Sequence, residues 1–315
     1  MSIRILLSSG IFWALLAAAL YTLSAATSKI LVEDFHVLQI LFFRQIVVLL
    51  STLRSIVGNF PHSLYTQRPG LHALRLAGAF LALSCGIWAV AVLPFATAVT
   101  LSFSQVFFVA LLARLFLGEV VSRRTFTAIG LGFFGVLIVM RPSSEGLSSL
   151  YALVPLLSGF GGAMAVISVR RLSQTESTAT LLLYQSIFVG LLSGLPLIFL
   201  WQTPTLQQLP LLLAVGFIAT LGQWAGIHAL RLVEAHIVGV FEYVKLVYAE
   251  TLGVLVFDEH SDRQTLIGAS IIVVAAFYAM RLRARANGFG PPFSGGTAPR
   301  VTASTARDTG KPGSG

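Results

Sequence analysis

Three ionisable residues, Glu242, Lys245 and Glu250, fall within nine positions of an otherwise apolar run from Ile237 to Phe257. A run of that length reads as a membrane-spanning helix, where a charge near the centre costs about 2.5 to 17 kcal/mol depending on how much water reaches it. The three must therefore face protein or water. At about 100° per residue, Glu242 and Lys245 lie roughly 60° apart and Glu250 roughly 80° from Glu242, so one helix face holds all three. Such a face can line a polar path, with Glu242 and Lys245 binding a zwitterionic or polar ligand. The same two residues, three apart, can instead form a structural ion pair that fixes the helix to its neighbours. Glu250 has no partner within one turn and is a candidate for a coupling proton.

These residues need a bilayer around them, and the composition supplies the reason. The 315 residues are 56% hydrophobic and 10% charged, which excludes a soluble globular domain. Apolar segments fall at about 10–31, 36–57, 71–92, 95–117, 124–140, 149–169, 178–200, 207–230, 236–257 and 264–281, each near the length that crosses about 30 Å of hydrocarbon. The expected fold class is an all-α membrane protein of ten transmembrane helices. The net charge of +9 comes from basic residues between apolar runs and records topology; nucleic acid is not an expected partner. Arg54, Arg68, Arg75, Arg123, Arg124, Arg170, Arg171, Arg231 and Arg281 fall on one side in alternate loops, and Lys29, Arg141 and Arg263 on the other. The richer side is read as cytoplasmic, with both termini inside a bacterial inner membrane. Residues 284–315, rich in Gly, Pro, Ser and Thr, read as a disordered cytoplasmic tail.

The lone Cys85 sits among apolar residues and reads as packing. Neither metal-ligand spacing nor a phosphate-binding glycine loop is present, so no cofactor, metal site or ATP-driven cycle is expected.

Shifting the sequence against itself by 140 positions aligns Gln45 with Gln185, Gly86-Ile-Trp-Ala89 with Gly226-Ile-His-Ala229, Glu119 with Glu259, Arg123 with Arg263 and Met140-Arg141 with Met280-Arg281. Five spans per copy is an odd number, so the second copy enters the membrane upside down. The expected units are 1–142 and 143–283, an inverted repeat of the kind that places a binding site near the midplane between its halves. The offset pairs Lys245 with Gln105, Trp88 with His228 and Arg44 with Tyr184 as members at similar depth. Gln105 can bind a ligand or bond a neighbouring helix. Arg44 can face the cavity or snorkel toward the interface. His228 can carry a proton or pack. Trp88 and Tyr21 can stack on a ligand or fill core.

The chain resembles the drug/metabolite transporter superfamily, in its ten-helix EamA group. The resemblance rests on Leu93-Pro-Phe-Ala-Thr-Ala-Val99, on Leu115-Phe-Leu-Gly-Glu119 with Leu255-Val-Phe-Asp-Glu259, on Val136-Leu-Ile-Val-Met-Arg-Pro142 and on Phe42-Phe-Arg44, and it covers about residues 8–284. Within the group the chain is similar to bacterial carriers of the S-adenosylmethionine and riboflavin uptake type. Two departures bear on substrate: Gln105 stands where many relatives have proline, and the acidic residue Glu242 precedes the basic Lys245, the reverse of S-adenosylmethionine-type relatives. The resemblance implies fold and mechanism, with Glu119 and Glu259 fixing loops or gates.

The expected activity is secondary transport of a small organic metabolite (a vitamin, S-adenosylmethionine or an amino-acid-like compound) by alternating access, without catalytic residues. The alternatives are an efflux carrier of the same fold or an integral-membrane lipid-modifying enzyme, whose interfacial His, Asp or Arg cluster the short loops lack. A homodimer is compatible with the sequence.

Overall fold

The computed structural model describes residues 10–57, 66, 68–117, 123–140, 150–172, 175–232 and 244–286. These form α1 (Gly10–Leu31), α2 (Val37–Val57), α3 (Pro69–Val92), α4 (Phe95–Ser102), α5 (Gln105–Leu117), α6 (Arg123–Met140), α7 (Leu153–Leu172), α8 (Thr178–Gly194), α9 (Leu197–Leu200), α10 (Leu209–Leu232), α11 (Val244–Phe257) and α12 (Arg263–Ala286). The described residues contain no strand.

The helix ends follow from local chemistry. Pro69 occupies the first turn of α3, where no intrahelical donor is lost, and Pro94 sits in the break between α3 and α4. The Ser177 hydroxyl accepts from Thr180 N at 3.1 Å and caps α8. Inside the helices, Thr22, Thr27 and Ser28 return their hydroxyls to the carbonyls of Ala18, Leu23 and Ser24, each at 2.8 Å, which hides polar groups from lipid.

Three helical segments, Gly10–Leu31, Pro69–Val92 and Leu209–Gly226, are long and apolar enough to cross a membrane. The expected span 95–117 is two helices, broken at Phe103-Ser104 by tight turns from Phe103 N to Thr100 O and from Ser104 N to Leu101 O. The expected span 178–200 breaks before Pro196, and 236–257 is described only from Val244. Hydropathy runs on through both breaks, so a window average does not see them.

Close helix pairs join an early element to a late one: α3 with α7, α1 with α10, α6 with α12 and α2 with α8. Glycine makes two of these contacts possible. A Cβ at Gly78 would lie 2.7 Å from the Gly161 carbonyl oxygen, and one at Gly161 would lie 2.7 Å from that of Gly78. Gly135 and Gly268 meet the same way across α6 and α12, at 2.9 and 2.8 Å. Further packing links α2 to α10, α3 to α8, α5 to α7, α1 to α11 and α4 to α11. Both ends of α10 fall 140 residues after those of α3, and α12 starts 140 residues after α6.

Candidate functional site

Tyr21, midway along α1, and Lys245, in the first turn of α11, are brought together. The Lys245 ammonium stands over the Tyr21 ring, 4.9 Å from its centroid, a contact worth about 0.5 to 2 kcal/mol according to how dry it is. The Tyr21 ring is seated by α10, where a Cβ at Gly222 would lie 3.5 Å from Tyr21 Cδ1. Six residues earlier, Gly216 admits the α2 backbone: a Cβ there would lie 3.2 Å from Arg44 Cα. At 1.5 Å per residue these seats are about 9 Å apart along α10, and Tyr21 is the titratable group whose charge acts on Arg44. Tyr21, Arg44 and Lys245 thus converge from three helices on one stretch of α10. Glu242 lies outside the described residues.

The remaining expected residues sit elsewhere. Gln105 opens α5 with its carboxamide against α7, where a Cβ at Gly162 would meet Gln105 Oε1 at 2.7 Å. Tyr184 packs on the His72 ring at 4.6 Å between centroids. Trp88 on α3 is 45% exposed. His228 stacks on Trp224 at 5.5 Å and meets Trp13 edge-on at 4.9 Å, in an aromatic cluster between α1 and α10. Glu250 accepts a hydrogen bond from Ser261 Oγ at 2.7 Å, which supplies from the α11–α12 turn the partner that its own helix lacks.

Two polar clusters that sequence reasoning did not assemble lie toward opposite ends of α3. At its C-terminal end, Lys29 Nζ is 2.6 Å from Glu259 Oε1 and donates to the Leu93 carbonyl at 3.1 Å, while Glu259 Oε2 accepts from Phe95 N at 2.6 Å. Asp258, with φ 53°, makes the left-handed turn that brings Glu259 round. One carboxylate thus ties α1 and the α3–α4 break to the end of α11. At the N-terminal end, His72 and Glu176 form a buried ion pair with side chains each 4% exposed, and Thr66 Oγ1 donates to Glu176 Oε1 at 2.6 Å. One turn along, Arg75 donates to the Leu181 carbonyl at 2.8 Å and to Gln185 Oε1 at 3.1 Å. Arg75, read from sequence as a topology marker, is 4% exposed and binds α3 to α8. The usable signals were weak: Lys29 and Glu259 are opposite charges assigned to one side, and His72 and Arg75 stand three apart with Glu176 on that same side.

Cationic and aromatic side chains gathered inside an all-helical bundle, with ion pairs tying its elements toward both ends, define a membrane transport protein. The chain belongs to the EamA-like transporter family, whose model matches it twice, over residues 8–141 and 149–281. It is 32% identical over 284 residues to the pseudopaline exporter CntI of Pseudomonas aeruginosa, covering 88% of this chain and 98% of the relative. It is 29% identical over 271 residues to the S-adenosylmethionine uptake transporter of Rickettsia bellii, covering 86% and 93%. It is also 28% identical over 249 residues to the riboflavin transporter of Brucella anthropi, covering 77% and 87%. A solved crystal structure at 17% identity superposes with a TM-score of 0.58 over 88% of this chain and 97% of the other, a likeness of fold.

Proposed function

We propose that this protein is a secondary carrier that moves a small organic metabolite by alternating access between two inverted five-helix repeats, residues 1–142 and 143–283, with both termini in the cytoplasm. The observation that carries the reading is that the packing is unchanged when the copies are exchanged. Shifting by 140 residues turns α3 against α7 into α10 against α1, α2 against α10 into α8 against α3, and α5 against α7 into α11 against α1. A chain of two equivalent copies can exchange their conformations and so present one site to either side of the membrane.

The same contacts sort helices into two interlocked bundles, α1, α2, α10 and α11 against α3, α4, α5, α7 and α8. Tyr21, Arg44 and Lys245 belong to the first bundle, and Gln105, Trp88 and Tyr184 to the second. In this reading the substrate lies between them, held by Lys245 with Glu242. The Lys29–Glu259 and His72–Glu176 clusters close opposite ends. Relatives named for S-adenosylmethionine, riboflavin and pseudopaline support a small organic cargo, and they include both uptake and export.

The test is a ligand-induced melting screen of the purified chain against amino acids, S-adenosylmethionine, riboflavin, nucleosides and polyamines, followed by flux into liposomes. Flux of a stabilising compound, lost in a folded Lys245→Gln protein, is the expected result. Wild-type flux in Lys245→Gln would remove the site assignment. Absence of flux for every stabilising compound would remove the carrier.

A further inference from the structure

We propose that the anchoring group of the transported substrate is a carboxylate, received by the Arg44 guanidinium with Lys245 adding attraction from across the Tyr21 ring. The inference rests on the carrier reading and gives its site a chemical class of ligand.

The argument begins with what the other described cations of the bundle interior do. Lys29 has a carboxylate and a carbonyl, and Arg75 has a carbonyl and a side-chain amide. Lys245 has the Tyr21 ring. Arg44 differs: it lies within α2 against α10, only partly exposed, and among the described residues its guanidinium has no hydrogen-bond acceptor and no ion pair. A guanidinium carries five donors in a planar fork that matches a carboxylate, and holding one away from water without an acceptor is costly. Arg44 neither snorkels freely into solvent nor joins the ion pairs at the ends of α3.

Its neighbours define what can fill that fork. Tyr21 offers a hydroxyl and a ring face, and a second cation, Lys245, stands on that ring. Two positive charges around one phenol repel a cationic head group and attract an anionic one. The Gly216 and Gly222 seats keep the Arg44 and Tyr21 backbones tight against α10, so the arrangement is held before a ligand arrives. A planar carboxylate taking two guanidinium donors, with the rest of the molecule extending toward Lys245 and the second bundle, satisfies each of these groups.

The test uses the full chain and probes that differ in the carboxylate: S-adenosylmethionine with its decarboxylated form, methionine with methioninamide, and riboflavin as a probe without a carboxylate. Apparent affinities come from melting shifts for wild type, Arg44→Gln, Arg44→Lys and Tyr21→Phe. In wild type, at least one acid is expected to bind at least tenfold more tightly than its partner lacking the acid. Arg44→Gln should erase that ratio, Arg44→Lys should keep part of it, and the affinity of the partner should barely move. If no acid stabilises the wild type, or if the acid preference survives in folded Arg44→Gln, the assignment is wrong. Riboflavin flux that needs Lys245 and ignores Arg44 would also overturn it while leaving the carrier intact; absence of flux for every binding probe would end the carrier reading itself.

Discussion

Removing the Glu259 carboxylate should open the end of the bundle where Lys29, Leu93 and Phe95 meet. Glu259 holds two partners at 2.6 Å, the Lys29 ammonium and the Phe95 amide. Hydrogen bonds to charged groups contribute about 1.5 to 3 kcal/mol each when dry. With Lys29 and Glu259 side chains 16% and 28% exposed, screening reduces the ion pair toward about 1 kcal/mol, and Lys29 retains the Leu93 carbonyl. A net loss of about 2 kcal/mol shifts the closed-to-open ratio by about thirtyfold. Ala98 is 1% exposed and packs in the same core as Ala26 and Ala249. In a Cys85→Ala background, maleimide labelling of Ala98→Cys therefore reports opening. Glu259→Ala should raise the labelling rate by about thirtyfold and Glu259→Gln by less, at little change in melting temperature. Lys29→Gln combined with Glu259→Gln should label only slightly faster than either alone. An unchanged rate in Glu259→Ala, or strictly additive effects in the pair, would refute the latch.

Two further outcomes test the packing. His72→Leu alone strands a buried carboxylate and should cost about 3 to 5 kcal/mol, more than the His72→Leu/Glu176→Leu double variant, as read by denaturant melts. Gly161→Val drives a side chain into the Gly78 carbonyl, where even the Cβ would stand at 2.7 Å. It should cost at least about 1 to 3 kcal/mol, whereas Gly130→Ala, with nothing within 4 Å, should leave melting unchanged.

Helices were legible because the bilayer enforces long apolar runs, and α3 and α10 came out within a few residues of their expected bounds. The break at Phe103-Ser104 was not, since one turn of tighter hydrogen bonds leaves hydropathy unaltered. Tyr21 and Lys245 were nominated separately, one as an aromatic and one as a charge, and only the packing of α1 against α11 joins them. Arg75 misled because a buried arginine and a loop arginine are the same letter two turns apart. His72 with Glu176 could not be paired from spacing, as 104 residues separate them and either could have met solvent.

Because α1 mates with α10, α2 with α8 and α3 with α7, each of the first three helices depends on one made much later. During synthesis the early helices must wait in the bilayer with their mating surfaces facing lipid. Neither half expressed alone has the surfaces it needs to become compact. Co-expressed as separate chains, the halves should reassemble by intercalation, so a nick between α6 and α7 would be tolerated where loss of either fragment would not.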